Sequence, residues 1–138
     1  MDSEKQVYRH EANKYKALVS FVSKDYNLSI VSLTVRETLE YAVRFKLPMR
    51  SNNPLWSTRE ERLELLLRNY GLKHKENSLC STLSTGEKRR LSIAVQNVLF
   101  HRILILEDPT DGMEFGESFL MMRRLKNIAG KFIDKVVL

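Results

Sequence analysis

Apolar and polar residues follow two different patterns along this chain, and the difference predicts an α/β fold. Residues 17–22 form a short apolar run that is rich in valine and predicts a strand. Residues 103–106 form a continuous apolar run, which is typical of a strand buried on both faces. A helix at about 118–129 and a strand at 132–138 are expected to follow. This order predicts a parallel βαβ unit.

Residues 34–100, between the two apolar runs, are predominantly helical in pattern. Three segments have a hydroxyl residue three positions before a glutamate, which is the capping-box spacing at a helix start. The pairs are Thr34 with Glu37, Ser57 with Glu60, and Ser84 with Glu87. Pro48 ends the first predicted helix, and Gly71 caps the second. A helical region is therefore predicted between strand-forming ends.

Composition narrows the class of protein further. The 138 residues suffice for one domain, and a single cysteine, Cys80, excludes an intramolecular disulfide framework. No apolar stretch approaches the length that spans a bilayer, so a soluble chain that can dock on a membrane protein is expected. The net charge of +6 suits an anionic partner. We interpret the basic run Lys88-Arg89-Arg90 as a solvated helix face.

Two acids, Glu107 and Asp108, come directly after the second apolar run. Ligands bind beyond the carboxyl ends of strands in open parallel sheets. One carboxylate there can hold Mg²⁺ and a second can polarise a water molecule. An ordinary solvated junction between strand and loop fits the same two residues.

The segment from Ser84 to Glu87 places a hydroxyl group and free backbone amides at a helix start. Such a helix end favours an anion because its amides and its dipole both attract negative charge. Taken alone, this spacing more often marks a capping box that only closes its own helix. One predicted helix and one predicted strand separate this segment from Glu107. A fold of that unit could bring the helix start and the acids to one nucleotide-bearing face.

Three segments together resemble the ATP-binding-cassette (ABC) transporters. Residues 83–94, LSTGEKRRLSIA, resemble the signature motif, and residues 103–114, ILILEDPTDGME, resemble the Walker B strand with its D-loop. Residues 33–42, LTVRETLEYA, look like the segment after the Q-loop in the G subfamily of half-transporters. The resemblance covers about residues 17–138. It implies a partial P-loop ATPase core with parallel strands and an inserted helical subdomain.

The resemblance divides the chain into three parts of a single partial domain. Residues 17–33 would form a core strand and the Q-loop region, and residues 34–100 would form the helical subdomain. Residues 101–138 would form the Walker B strand, the D-loop, a helix and another strand. In the family, two such domains sandwich two ATP molecules. The signature turn, made here of Ser84, Thr85, Gly86 and Glu87, would face the γ-phosphate of an ATP held by the partner.

The resemblance also implies roles for the acidic residues. Glu107 falls at the Mg²⁺-coordinating position and Asp108 at the position of the catalytic carboxylate. Asp111 and Glu114 would lie in the D-loop, which crosses the dimer interface. Lys24 occupies the Q-loop glutamine position, where a lysine cannot offer the amide carbonyl.

Several departures from the family pattern argue for a slow or inactive site. The five glycines open no G-x-x-x-x-G-K-[ST] phosphate loop, and no switch histidine follows the last strand. The acid pair reads Glu-Asp where the family has Asp-Glu, which shifts each carboxylate by about 1 Å. Thr85 replaces a glycine where backbone would approach phosphate. We expect no Mg-ATP affinity and no turnover from these residues alone.

Three functions remain as alternatives. The first is a fragment of the ATP-binding domain of a G-type transporter, which couples ATP hydrolysis to transport in the complete protein. It would need ATP, Mg²⁺, a second nucleotide-binding domain and a transmembrane domain, at the cytoplasmic face of a membrane. The second is a non-catalytic protein that presents only a signature face to a partner. The third, a basic nucleic-acid-binding protein, lacks any supporting motif, so no nucleic acid is expected.

Overall fold

The computed structural model describes residues 18–25, 32–47, 58–131 and 135–137. Helices and strands occur there in an order that matches the predicted α/β pattern. In chain order they are β1 (Val19–Val22), α1 (Val35–Lys46), α2 (Arg59–Asn69), α3 (Thr85–Gln96), β2 (Ile103–Leu106), α4 (Phe115–Ile128) and β3 (Lys135–Val137). Two short 3₁₀ turns, Lys73–Lys75 and Cys80–Thr82, connect α2 to α3.

The three strands form one parallel sheet in the order β1-β2-β3. Val19 lies beside Ile103, and Ile103 lies beside Lys135. Parallel neighbours require a crossover connection. The helical region provides the first crossover, and α4 provides the second. The carboxyl ends of β1 and β2 therefore meet at one edge of the sheet, where Glu107 N donates to Val22 O at 3.0 Å.

The boundaries differ from the predicted ones by a few residues. Helix α4 begins at Phe115, three residues before the predicted start, and ends one residue earlier than expected. The first strand covers residues 19–22 of the predicted 17–22. The last strand covers 135–137 of the predicted 132–138, and the remaining residues of that prediction lie outside the described residues.

Local side-chain caps set the helix starts. Thr34 and Glu37 form a reciprocal capping box on α1, and Ser84 and Glu87 form one on α3, as predicted. The box on α2 was predicted one residue too early. Thr58 is the N-cap of α2 and its partner is Glu61. Ser57 lies outside the described residues, and the Glu60 carboxylate instead pairs with Arg36.

Gly71 ends α2 in the predicted way. Its φ of +65° lies in the left-handed region, which glycine adopts without steric cost. Gly71 N donates to Arg68 O at 3.1 Å, and Leu72 N donates to Leu67 O at 2.8 Å. These two bonds make a Schellman motif, which satisfies carbonyl groups at the helix end. The chain turns sharply there, toward the signature-like segment.

The core lies between the helical region and one face of the sheet. On β2, Leu104 and Leu106 are buried, whereas Ile103 and Ile105 are half-buried. The prediction of a strand buried on both faces is therefore wrong for the described part of the chain. The buried face packs with α3 and α4, to which Met121 and Leu125 contribute. The opposite face carries Phe21, which is 58% exposed.

A charged network joins α1, α2 and the turn after α2. Arg36 of α1 pairs with Glu60 and Glu64 of α2 and, at 2.6 Å, with Glu76. Lys73 reaches the same Glu64 and Glu76 carboxylates at 2.8 and 3.0 Å. Hydrogen bonds from Lys73 lower the pKa of both carboxyls, with Arg36 adding to the effect. The network fixes the relative position of three segments of the helical region.

Candidate functional site

The signature-like turn forms the N-terminus of α3, with Ser84 as the N-cap. The Ser84 hydroxyl accepts from Glu87 N at 3.2 Å, and the Glu87 carboxylate accepts from Ser84 N at 2.9 Å. Ser84 and Thr85 are exposed, and Gly86 is buried. The box leaves the N–H groups of Thr85 and Gly86 outside its own pairing. The turn therefore combines a hydroxyl group with the positive end of a 12-residue helix.

Glu107 follows β2 and is held by the end of β1. Its Oε2 accepts from Ser23 Oγ at 3.1 Å and from Lys24 N at 3.2 Å. These two hydrogen bonds, the backbone one first, lower the pKa of the Glu107 carboxyl. The ionised carboxylate is therefore favoured, and its position depends on the backbone of the residue predicted to occupy the Q-loop position.

Asp108 turns the chain away from the sheet. Its φ of +41° is in the left-handed region, which aspartate visits more readily than most residues. Asp111 N donates to Asp108 O at 3.1 Å and closes a tight turn. Gly112 follows with a φ of +69°, and a Cβ placed on it would lie 3.8 Å from the Thr85 methyl carbon. The loop after β2 thus lies against the signature-like turn.

Arg89 of α3 joins the two strand ends. Its guanidinium donates to Ser23 O and to Glu107 O, each at 2.7 Å, and to Lys24 O at 3.4 Å. Only 9% of Arg89 and 7% of Arg90 is exposed, so the prediction of a solvated basic face is wrong for these two residues. The helical repeat could have indicated this, because Arg90 lies four residues before Ala94 and extends the apolar stripe.

A cavity of about 340 Å³ lies between α3 and the loop after β2. Its walls carry two acids, two hydroxyl groups and three basic side chains. They are Asp108, Asp111, Thr85, Ser92, Lys24, Lys88 and Arg89. Thr85 of the signature-like turn therefore shares one cavity with Asp108 and Asp111, whereas Ser84, Gly86 and Glu107 do not line it. An anion in this cavity would be attracted by Lys24 and Lys88 and repelled by the Asp108 and Asp111 carboxylates.

Two predicted residues lie at the margin of this arrangement. Glu114 is exposed and precedes α4 as its N-cap, without a side-chain hydrogen bond to the helix. Glu87 is engaged in the capping box.

Sequence reasoning missed Glu117, whose Oε1 accepts from Ser84 Oγ at 3.1 Å. No short-range pattern connects residues 33 positions apart, so nothing in the local sequence indicated this contact.

The acids suit a magnesium ion only in part. No group of three or more histidine, cysteine, aspartate or glutamate side chains in the described ranges could hold a metal. Mg²⁺ usually binds one or two carboxylates together with water and phosphate oxygens. Glu107, which is held in place by two donors, fits one such carboxylate. These residues therefore fit magnesium that arrives with a nucleotide.

Comparison with known proteins identifies the family. A model of the family "ABC transporter" matches residues 1–111. An ABC transporter ATP-binding protein/permease of Saccharomyces cerevisiae is 34% identical over 119 residues, which cover 83% of this chain and 9% of the relative. ABC transporter G family member 19 of Arabidopsis thaliana is 33% identical over 83% of this chain and 16% of its own length.

A solved structure shares the fold. The cbiO1 protein of Clostridium perfringens, part of the ABC transporter complex cbiONQ, matches with a TM-score of 0.76 at 20% identity. The match covers 94% of this chain and 49% of that chain. No helix among the described residues is both long and apolar enough to cross a membrane.

The chain spans less than a fifth of the curated relatives named above and about half of the solved one. The α/β fold with parallel strands and an inserted helical region is confirmed by this likeness. The sequence motifs, the family match and the G-family relatives all indicate an ABC transporter. The chain belongs to the ABC transporter family and is part of a nucleotide-binding domain like those of the G-family members.

Proposed function

We propose that this chain supplies one half of a composite ATP site in a G-type ABC transporter. The half consists of the signature turn and the acids after the Walker B strand. The complete protein would couple ATP binding and hydrolysis to transport across a membrane. The phosphate cradle would come from residues outside these 138, because the sequence contains no phosphate-loop pattern.

One observation carries the proposal. Thr85 of the signature turn and Asp108 after Walker B line the same cavity, although they are 23 positions apart. Arg89 holds the signature helix and both strand ends together through three backbone carbonyl groups. A triphosphate that entered this cavity would meet the Thr85 and Ser92 hydroxyl groups beside the Asp108 and Asp111 carboxylates.

The resemblance to the family supplies the roles that we propose for individual residues. Ser84 and Gly86 would contact the terminal phosphate of an ATP held by a second nucleotide-binding domain. Glu107 would hold Mg²⁺, and Asp108 would orient the attacking water. Lys24 would stand at the Q-loop position.

The D-loop and the outer partners complete the proposal. Asp111 and Glu114 would reach across the interface with the second nucleotide-binding domain. Residues 34–100 would form the helical subdomain, between a core strand at 17–33 and the Walker B part at 101–138. That subdomain would face a transmembrane domain, and the chain would then lie at the cytoplasmic face of a membrane.

The test is ATP-dependent association. The full chain is mixed with a complete nucleotide-binding domain from an Arabidopsis G-family relative, and complex formation is followed by sedimentation velocity with Mg-ATP or Mg-ADP. We expect a complex with ATP only, and at least tenfold weaker association for Gly86→Ala. Gly116→Ala is the matched control, because a Cβ there meets nothing within 4 Å. No nucleotide-dependent complex, or an unaffected Gly86→Ala, would contradict the proposal.

A second candidate function is a non-catalytic chain that presents only its signature face. The Glu-Asp order favours it, because the exchange moves each carboxylate by about 1 Å and such a shift can cost about a hundredfold in rate. The two functions differ in their dependence on Asp108. If Asp108 is catalytic, Asp108→Asn lowers the ATPase rate of the mixed complex. If only the signature face contributes, that rate stays unchanged.

A further inference from the structure

The signature turn in this structure is covered by a carboxylate from its own chain. Glu117, in the first turn of α4, accepts from Ser84 Oγ at 3.1 Å. A Cβ placed on Gly86 would lie 2.8 Å from Glu117 Oε2 and 3.1 Å from Oε1. The carboxylate is thus seated against the one position of the turn that lacks a side chain. Substitution of Gly86 would force it to move.

Electrostatics explains why a carboxylate lies there. The first turn of α3 carries partial positive charge, and its Thr85 and Gly86 amides are outside the capping box. A hydroxyl group that has accepted one hydrogen bond can donate another, and Ser84 donates its proton to Glu117. Glu117 therefore supplies the features that a phosphate oxygen would bring: negative charge and an acceptor for the Ser84 hydroxyl.

We propose that Glu117 is a built-in competitor for the phosphate that the signature turn would receive. The inference rests on the proposed function, because it assigns the turn to a phosphate. The chain alone would hold its turn in a closed state, with the carboxylate in place. A terminal phosphate could engage Ser84 only after the Glu117 side chain rotates away. Glu117 is half-buried, so its side chain already meets solvent on one side.

The competition is tested with inorganic phosphate and the full ¹⁵N-labelled chain. Phosphate is titrated at pH 7 and constant ionic strength, and the amide signals of Thr85 and Gly86 are followed. The variants are Glu117→Gln, which removes the charge, and Glu117→Asp, which withdraws the carboxylate by one methylene. Glu40→Gln is the matched control, because Glu40 is on α1 and pairs only with Arg44 among the described ion pairs.

We expect Glu117→Gln to bind phosphate at least about fivefold more tightly than the wild type. A unit charge about 4 Å away changes affinity by roughly that factor even at the dielectric constant of water. The phosphate affinity of Glu117→Asp should lie between those of Glu117→Gln and the wild type. The affinity of Glu40→Gln should match that of the wild type. Equal affinities for Glu117→Gln and the wild type would overturn the proposal. Equal gains for Glu117→Gln and Glu40→Gln would overturn it too, since total charge would then explain both.

The result separates this inference from the proposed function. If phosphate binds Glu117→Gln more tightly but no ATP-dependent complex forms with a partner domain, the competition stands and the proposed function fails. If the complex forms but Glu117→Gln changes nothing, the proposed function stands and the competition fails. Amide dispersion and circular dichroism of each variant verify the fold before titration, and Glu117→Asp serves if Glu117→Gln does not fold.

Discussion

Arg89 is expected to be the most important polar side chain for the stability of the site. Arg89→Met keeps much of the apolar stem but removes the donors to Ser23 O, Lys24 O and Glu107 O. Those carbonyl groups lie at the carboxyl ends of β1 and β2. The substitution therefore removes the hydrogen bonds from α3 to both strand ends, while the apolar packing of the helix on the sheet remains.

The magnitude can be worked from the two shortest contacts, each 2.7 Å. A hydrogen bond from a charged donor contributes about 1.5–3 kcal/mol, so two give at most about 6 kcal/mol. Burial lowers the pKa of Arg89, which means that desolvation of the guanidinium offsets part of this gain. We therefore expect Arg89→Met to lower the free energy of unfolding by about 2–4 kcal/mol.

Urea unfolding at pH 7, followed by circular dichroism, measures this loss as a shift in midpoint at constant slope. Lys88→Met is the matched control, because Lys88 is the exposed neighbour and its replacement changes the net charge equally. The control should stay within about 0.5 kcal/mol of the wild type. The reasoning is refuted if Arg89→Met also stays within that range, since the three contacts would then contribute nothing net.

Three further predictions concern the helical region and α4, each measured by urea or thermal unfolding. Gly71→Ala should lower the free energy of unfolding by about 1–2 kcal/mol, because φ at Gly71 is +65°. Gly116→Ala, where a Cβ meets nothing within 4 Å, should raise it by up to about 1 kcal/mol. Equal effects of the two substitutions would contradict the left-handed geometry at Gly71. Tyr70→Phe should lower the free energy of unfolding by about 1–2 kcal/mol, because the buried Tyr70 hydroxyl accepts a hydrogen bond from Asn97 Nδ2 at 2.9 Å. An unchanged unfolding midpoint would argue against that bond. Lys73 and Arg36 lower the pKa of Glu76 in the folded protein from its ordinary value of 4.5. Glu76 therefore stabilises the fold above pH 4.5, and this stabilisation is lost as the pH falls through the pKa of the folded state. Glu76→Gln should therefore flatten the acid limb of the stability profile, and a parallel limb would exclude this role.

Features of the fold that depend on near neighbours in the chain were predictable. The capping boxes at Thr34 and Ser84 join residues three positions apart, and the glycine that ends α2 is adjacent to the helix it closes. The α2 box was misplaced by one residue because Ser57-Thr58 and Glu60-Glu61 offer two overlapping versions of one pattern. Only side-chain geometry distinguishes them.

Burial was less predictable than secondary structure. The apolar run at 103–106 resembles a strand covered on both sides, but coverage depends on which other elements pack against it. Here α3 and α4 cover one face only. Arg89 and Arg90 were mistaken for solvated residues because charge usually indicates exposure, whereas carbonyl groups at the strand ends provide Arg89 with buried acceptors.

The amino-acid sequence by itself determined the order of helices and strands, the family, and the two motifs that meet at the cavity. These depend on residue type and on spacings of a few positions. The tertiary structure alone decided that Arg89 links the strand ends and that Glu117 covers the signature turn. Hydrogen bonds reach about 3 Å, so residues far apart in the chain can form them only after packing has set their positions to within a fraction of an ångström.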